Sequence, residues 1–120
     1  MSKIKKMVLG IALAMCVFGG SVGTCYAASS SIEVDITTTR AHGKFVYGEA
    51  GHQIKVVVSY QERNNSTGYT SNGSISDTQN GNVTTAVASR SNPTGYRYTW
   101  GKAAGYVDGV ETAKSASVSV

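Results

Sequence analysis

The 120-residue chain carries a formal net charge of +4, but three of its lysines fall within the first six positions. Beyond residue 27 eight basic side chains face seven acidic ones with no basic block, so nucleic-acid binding loses its main support. Both cysteines, Cys16 and Cys25, also precede residue 28, so the remaining 93 residues have no disulfide or thiol chemistry and make one domain with a thin core.

The start of the chain reads as an export signal. Lys3, Lys5 and Lys6 form a basic opening without an acid, and Met7 to Phe18 is apolar and too short to span a membrane. Cys25-Tyr26-Ala27 then places small residues at the two positions a signal peptidase reads. Residues 1–27 are therefore expected to be a signal peptide, cleaved before Ala28, and residues 28–120 the mature domain. No membrane span remains after cleavage. A secreted domain without cysteine points to a bacterial source.

The mature stretch has no Leu or Met. Its apolar residues are eleven Val, four Ile, six Tyr, one Phe, one Trp and some Ala, diluted by 24 Ser and Thr. Strong helix formers are scarce and β-branched residues dominate, so strands are expected throughout. Ile32, Val34 and Ile36 alternate with Glu33, Asp35 and Thr37, giving a first strand to about Thr39. Residues 40–43 read as a turn and Lys44 to Tyr47 as a short second strand. Gln53 to Tyr60 is the clearest strand of the chain. Ile54, Val56, Val58 and Tyr60 share its buried face, and Lys55, Val57 and Ser59 its wet one.

Residues 64–82 are very polar. Asn72-Gly73 and Asn80-Gly81 are favoured hairpin dipeptides, so this region reads as a polar hairpin, with strands around 68–71 and 74–78, or as a mobile loop. Val83 to Ser89 resumes a strand. After Asn92-Pro93-Thr94-Gly95, alternation places Tyr96, Tyr98 and Trp100 on one face, and Gly101 marks a candidate bulge. Asp108-Gly109 is the strongest hairpin signal, and Ala116, Val118 and Val120 alternate with serines in a last strand. Asn65-Ser66-Thr67-Gly68-Tyr69 is echoed by Asn92-Pro93-Thr94-Gly95-Tyr96, which reads as turn-then-strand grammar rather than a repeat. Six to eight short strands in one Cys-free domain predict an all-β fold, a small antiparallel β-sandwich.

Catalytic motifs are missing: there is no Gly-x-Ser-x-Gly elbow, no His-Glu-x-x-His and no phosphate loop. His42 and His52 flank the short second strand, and with Glu49 they would make a zinc site only if the turns fold back on each other; two solvated loop histidines are the simpler reading. Glu33 and Asp35 are read as a solvent face that guards a strand rather than as an acid–base pair. Asp77, Asn80 and Asn82 miss the spacing of a calcium loop. No metal, cofactor or enzymatic activity is expected.

Tyr96, Tyr98 and Trp100 are the candidate binding residues. An aromatic stripe on an exposed sheet stacks on sugar rings; on an inner face it is core. The lack of Leu and Met favours the core reading, because the chain can hardly spare its one Trp.

Gly43-Lys44-Phe45-Val46-Tyr47-Gly48 is similar, over these six residues only, to the Gly-x-Trp-x-Tyr-Gly opening of the lactococcin-type bacteriocins, which are also small secreted Cys-free β-sandwiches. Phe45 stands where that family has Trp, the later His-containing segment is missing, and no site residue carries over. The expectation is a secreted, non-enzymatic bacterial protein that binds an extracellular or cell-surface partner. The alternatives are a carbohydrate-binding module that uses the aromatic stripe on a glycan and a bacteriocin-like toxin.

Overall fold

The computed structural model describes residues 5–14 and 27–120, with side chains from residue 29 onward. Cys16, Cys25 and Tyr26 of the expected export signal lie outside the described residues. The strands in chain order are β1 (Lys5–Ala14), β2 (Ala27–Ile36), β3 (Arg40–Tyr47), β4 (Ile54–Asn64), β5 (Thr70–Gln79), β6 (Thr85–Ser91), β7 (Tyr96–Val107), β8 (Val110–Lys114) and β9 (Val118–Ser119).

All pairings are antiparallel. One sheet has the order β1-β2-β3-β6; the other has the order β5-β4-β7-β8, with β9 added to β7. The two sheets bury alternate residues against each other, so the molecule is the all-β sandwich the composition predicts. The apolar stretch near the start pairs with β2 as the edge strand β1.

β4 lies inside its sheet, between β5 and β7. Ile54, Val56 and Val58 are fully buried and Tyr60 nearly so, while Lys55, Val57 and Ser59 face outward, as the alternation predicts. Across the interface stand Ile32, Val34 and Ile36 of β2, Ala41 and Phe45 of β3, and Ala86 and Ala88 of β6.

Among the described side chains the core holds no Leu or Met, and it closes because glycines admit its larger side chains. A Cβ on Gly105 would lie 2.2 Å from Cδ1 of Phe45, and one on Gly43 would lie 2.3 Å from Cγ2 of Val58. Gly43 is therefore a strand residue chosen for close approach, not a turn residue. The turn expected at 40–43 falls instead at 37–39. The Thr37 amide donates to the Arg40 carbonyl, and Oγ1 of Thr37 accepts from the Arg40 amide at 2.9 Å, so the chain reverses before Arg40.

Asn72-Gly73 is likewise no turn. Residues 70–79 form one strand along β4, and Gly73 stands opposite Tyr60, whose ring occupies the place of a Cβ. Asp108-Gly109 is the expected two-residue hairpin turn, with φ of 50° and 82°. The last run pairs only at Val118 and Ser119. Ser115 turns inward, where its Oγ accepts from the Ala103 amide at 2.9 Å, and Ala116 is left exposed.

Candidate binding face

Tyr96, Tyr98 and Trp100 do not share a face. The register between β4 and β7 shifts between Gln61 and Glu62: Trp100 stands opposite Gln61, and Tyr98 opposite Glu62, with Thr99 as the extra residue. Oγ1 of Thr99 donates to Oε1 of Gln61 at 2.8 Å and pins the bulge. The extra residue reverses the phase of the alternation. Tyr98 points inward and is 1% exposed; Trp100 points outward and is only half-buried; Tyr96 is exposed at the strand end. The one Trp is therefore not core, and the expected bulge lies at Thr99 rather than Gly101.

Tyr98 belongs to an interior polar network. Its ring meets Tyr60 edge-on at 5.1 Å. Arg90 of β6 enters from the facing sheet, with Nη1 donating to the Tyr98 hydroxyl at 2.9 Å and to Oε1 of Glu62 at 3.2 Å. The Arg90 guanidinium also lies over the Tyr60 ring at 5.0 Å. Burial pushes the Tyr98 phenol above its ordinary range, and Arg90 partly opposes this. The network cross-links the two sheets and holds Tyr98 in the interior.

The remaining sequence candidates are dispersed. His42 lies near the start of β3, opposite Asp35 and Ser89, while His52 follows the far end of that strand, so the two do not form a metal site with Glu49. Burial, followed by the charge of Arg40, lowers the His42 pKa. Nδ1 of His52 lies 2.6 Å from Oδ2 of Asp108, and Nε2 lies 3.7 Å from Oε1 of Glu49. Both ring nitrogens thus face carboxylates, an arrangement that suits an imidazolium clasp and leaves neither nitrogen as a free base. Asp35 pairs with Arg40 at 3.3 Å, and Glu33 stands opposite Lys44. Asp77 accepts from the Val87 amide at 3.1 Å and from Gln79, so it ties the edge strand β5 to the edge strand β6 rather than joining Asn80 and Asn82. Among the described residues no group of three or more His, Cys, Asp or Glu could hold a metal ion.

The outer face of the second sheet gathers what the sequence scatters. Lys55 and Arg63 of β4, Arg97 and Lys102 of β7, and Lys114 of β8 all project there. Glu111, opposite Tyr106, is the one acidic residue that the pairing places among them. No described carboxylate lies within ion-pairing distance of these five cations. The cations of β3 and β6 differ: Arg40 and Arg90 are ion-paired, and Lys44 stands opposite Glu33. A chain that is almost neutral beyond residue 27 therefore has one distinctly positive face.

Trp100 and Tyr106 lie among those cations, and Asn72, Ser74, Ser76 and Thr78 of β5 continue the face as an exposed polar ladder. A cleft of about 490 Å³ runs beside Ser59, Lys102, Tyr106 and Lys114 and is walled by the segment after β8. It adjoins a hollow of about 350 Å³ at Lys55, Val57 and Tyr106. Alternation marks Lys55 and Ser59 as wet but misplaces Trp100; only strand pairing shows that these side chains share one surface.

Comparison with protein-family models, curated proteins and solved structures finds no match to the chain.

Proposed function

We propose that this is a secreted, non-enzymatic bacterial protein that binds an extracellular or cell-surface glycan across the outer face of its second sheet. The observation that carries the reading is the collection of Lys55, Arg63, Arg97, Lys102 and Lys114 around Trp100 and Tyr106 on one flat, hydroxyl- and amide-rich face. Sugar rings offer apolar C–H faces to aromatic rings and hydroxyls to Ser, Thr, Asn and Gln. A shallow, polar, open cleft suits a chain lying across it better than a small molecule enclosed in it.

Export rests on the sequence: the lysine-rich start, the short apolar run and Cys25-Tyr26-Ala27. Cleavage before Ala28 removes β1 and leaves β2 at the edge of the first sheet.

The test is a glycan array and a cell-wall pull-down with the secreted protein, its intact mass measured first. Binding that weakens in both Tyr106→Ala and Lys102→Gln supports the reading. Undiminished binding in both variants, growth inhibition without glycan binding, or a full-length mass in the cell pellet overturns it.

A further inference from the structure

We infer that Arg63 and Arg97 form an anion-recognition site on the binding face, and that the glycan it takes is an acidic polysaccharide carrying carboxylate or phosphate groups. The inference rests on the binding-face reading and deepens it. Arg63 and Arg97 are direct cross-strand partners between β4 and β7, both exposed. Like charges in that position repel each other and destabilise a sheet. No described carboxylate lies within ion-pairing distance of either guanidinium. A bound anion would turn the repulsion into a two-sided clamp, because each planar guanidinium presents parallel N–H donors that match a carboxylate or phosphate.

The surroundings of the pair are fixed by the two echoed segments. Oδ1 of Asn64 accepts from the Ser66 amide at 2.9 Å and from the Thr67 amide at 3.1 Å, closing the first loop. The Asn65 amide donates to the Gly95 carbonyl at 2.9 Å, joining it to the second. The echo that reads as turn grammar along the chain is thus a side-by-side pair in space. Gly68 and Gly95 both have positive φ, and each delivers an exposed tyrosine, Tyr69 at 79% and Tyr96 at 36% exposure. Arg63 lies along the first loop, its Nη2 only 3.3 Å from where a Gly68 Cβ would be. Tyr69 and Tyr96 both neighbour Asn64 in the register and so project from the opposite side of the sheet, which leaves the clamp to the two guanidiniums, with Thr70 beside Arg63.

Charge density separates this ligand from nucleic acid. Lys102 stands opposite Ser59, midway between Lys55 and the Arg63–Arg97 pair, so positive charge recurs about every 13 Å along the face. Duplex DNA presents about one charge per 1.7 Å, which such sparse cations neutralise poorly. A polymer with one anion every sugar or two matches the spacing better.

The experiment measures binding of the purified protein to polygalacturonate, poly(glycerol phosphate), neutral dextran, duplex DNA and anionic phospholipid vesicles. Arg63→Gln, Arg97→Gln and the double variant are run beside wild type, with melting temperature as the folding control. The expected result is salt-sensitive binding to polygalacturonate or poly(glycerol phosphate), weakened at least tenfold in the double variant at a melting temperature equal to or above that of wild type. Which of the two polymers binds identifies the anion as carboxylate or phosphate. If dextran binds as well as the acidic polymers, or if acidic-polymer binding survives the double variant but falls in Lys102→Gln, the arginine site is overturned while the binding-face reading stands. Binding only to DNA or vesicles overturns both, whereas binding to none of the five overturns the arginine site and leaves the binding-face reading to the glycan array.

Discussion

Asp108 holds the β7–β8 turn to the segment before β4 with both of its carboxylate oxygens. Oδ2 lies 2.6 Å from Nδ1 of His52, and Oδ1 accepts from the Gln53 amide at 2.9 Å. The His52 ring also packs edge-on against Tyr47 at 5.5 Å, so strands of both sheets meet at this end of the sandwich. The hydrogen bond to Asp108 raises the His52 pKa above 6.5, and the same bond lowers that of Asp108 below 3.8.

The sign of the pH effect follows. His52 contributes stability that is fully present below its unfolded value of 6.5 and is lost as pH rises through its raised folded value. Asp108 contributes stability present above 3.8 and lost as pH falls through its lowered value. An NMR titration should place the His52 midpoint above its ordinary value in wild type and lower it in Asp108→Asn, which keeps a residue tolerant of positive φ. An unchanged midpoint would mean that the clasp does not form in solution.

Arg90 should matter more than any exposed charge. Glu62 is 8% exposed, and removal of Arg90 leaves its carboxylate without its ion-pair partner in the interior. Arg90→Ala is expected to cost about 3 kcal/mol, the low end of the range for breaking a buried pair, because Arg90 itself is partly exposed. Lys55→Ala should stay within about 0.5 kcal/mol. Urea denaturation of the two variants checks the contrast; equal midpoints would contradict the buried network.

Gly105→Ala should destabilise by about 1–3 kcal/mol, because its methyl meets the Phe45 ring in a packed core. Phe45→Val should remove most of that clash, so the double variant should lose less than the sum of the single losses. Strict additivity in a denaturant series would show that the two do not touch.

Trp100→Ala should remain folded. The outward, half-buried indole forfeits less than the about 3–5 kcal/mol lost on truncating a buried aromatic. Its emission should be red-shifted and quenched by iodide. A blue-shifted, unquenched spectrum together with an unfolded variant would return Trp100 to the core.

The sequence by itself determined the fold class and the central strand. A composition rich in Val, Thr and Ser and poor in helix formers leaves strands as the favoured structure, and period-two alternation placed Ile54, Val56, Val58 and Tyr60 inside. Asp108-Gly109 was legible too, because a two-residue hairpin turn needs positive φ at both positions. Tertiary structure alone decided what alternation cannot encode. One extra residue at Thr99 reversed the phase of β7 and divided an apparent aromatic stripe between core and surface. Gly43 and Gly73 resembled turn residues until the facing side chains showed that they leave room for Val58 and Tyr60. The cationic face was hidden for a related reason: Lys55, Arg63, Arg97, Lys102 and Lys114 are spread over 60 positions of the chain. Charge along a chain is a local property, whereas a surface potential is a sum over strands that only their hydrogen-bonded order brings together.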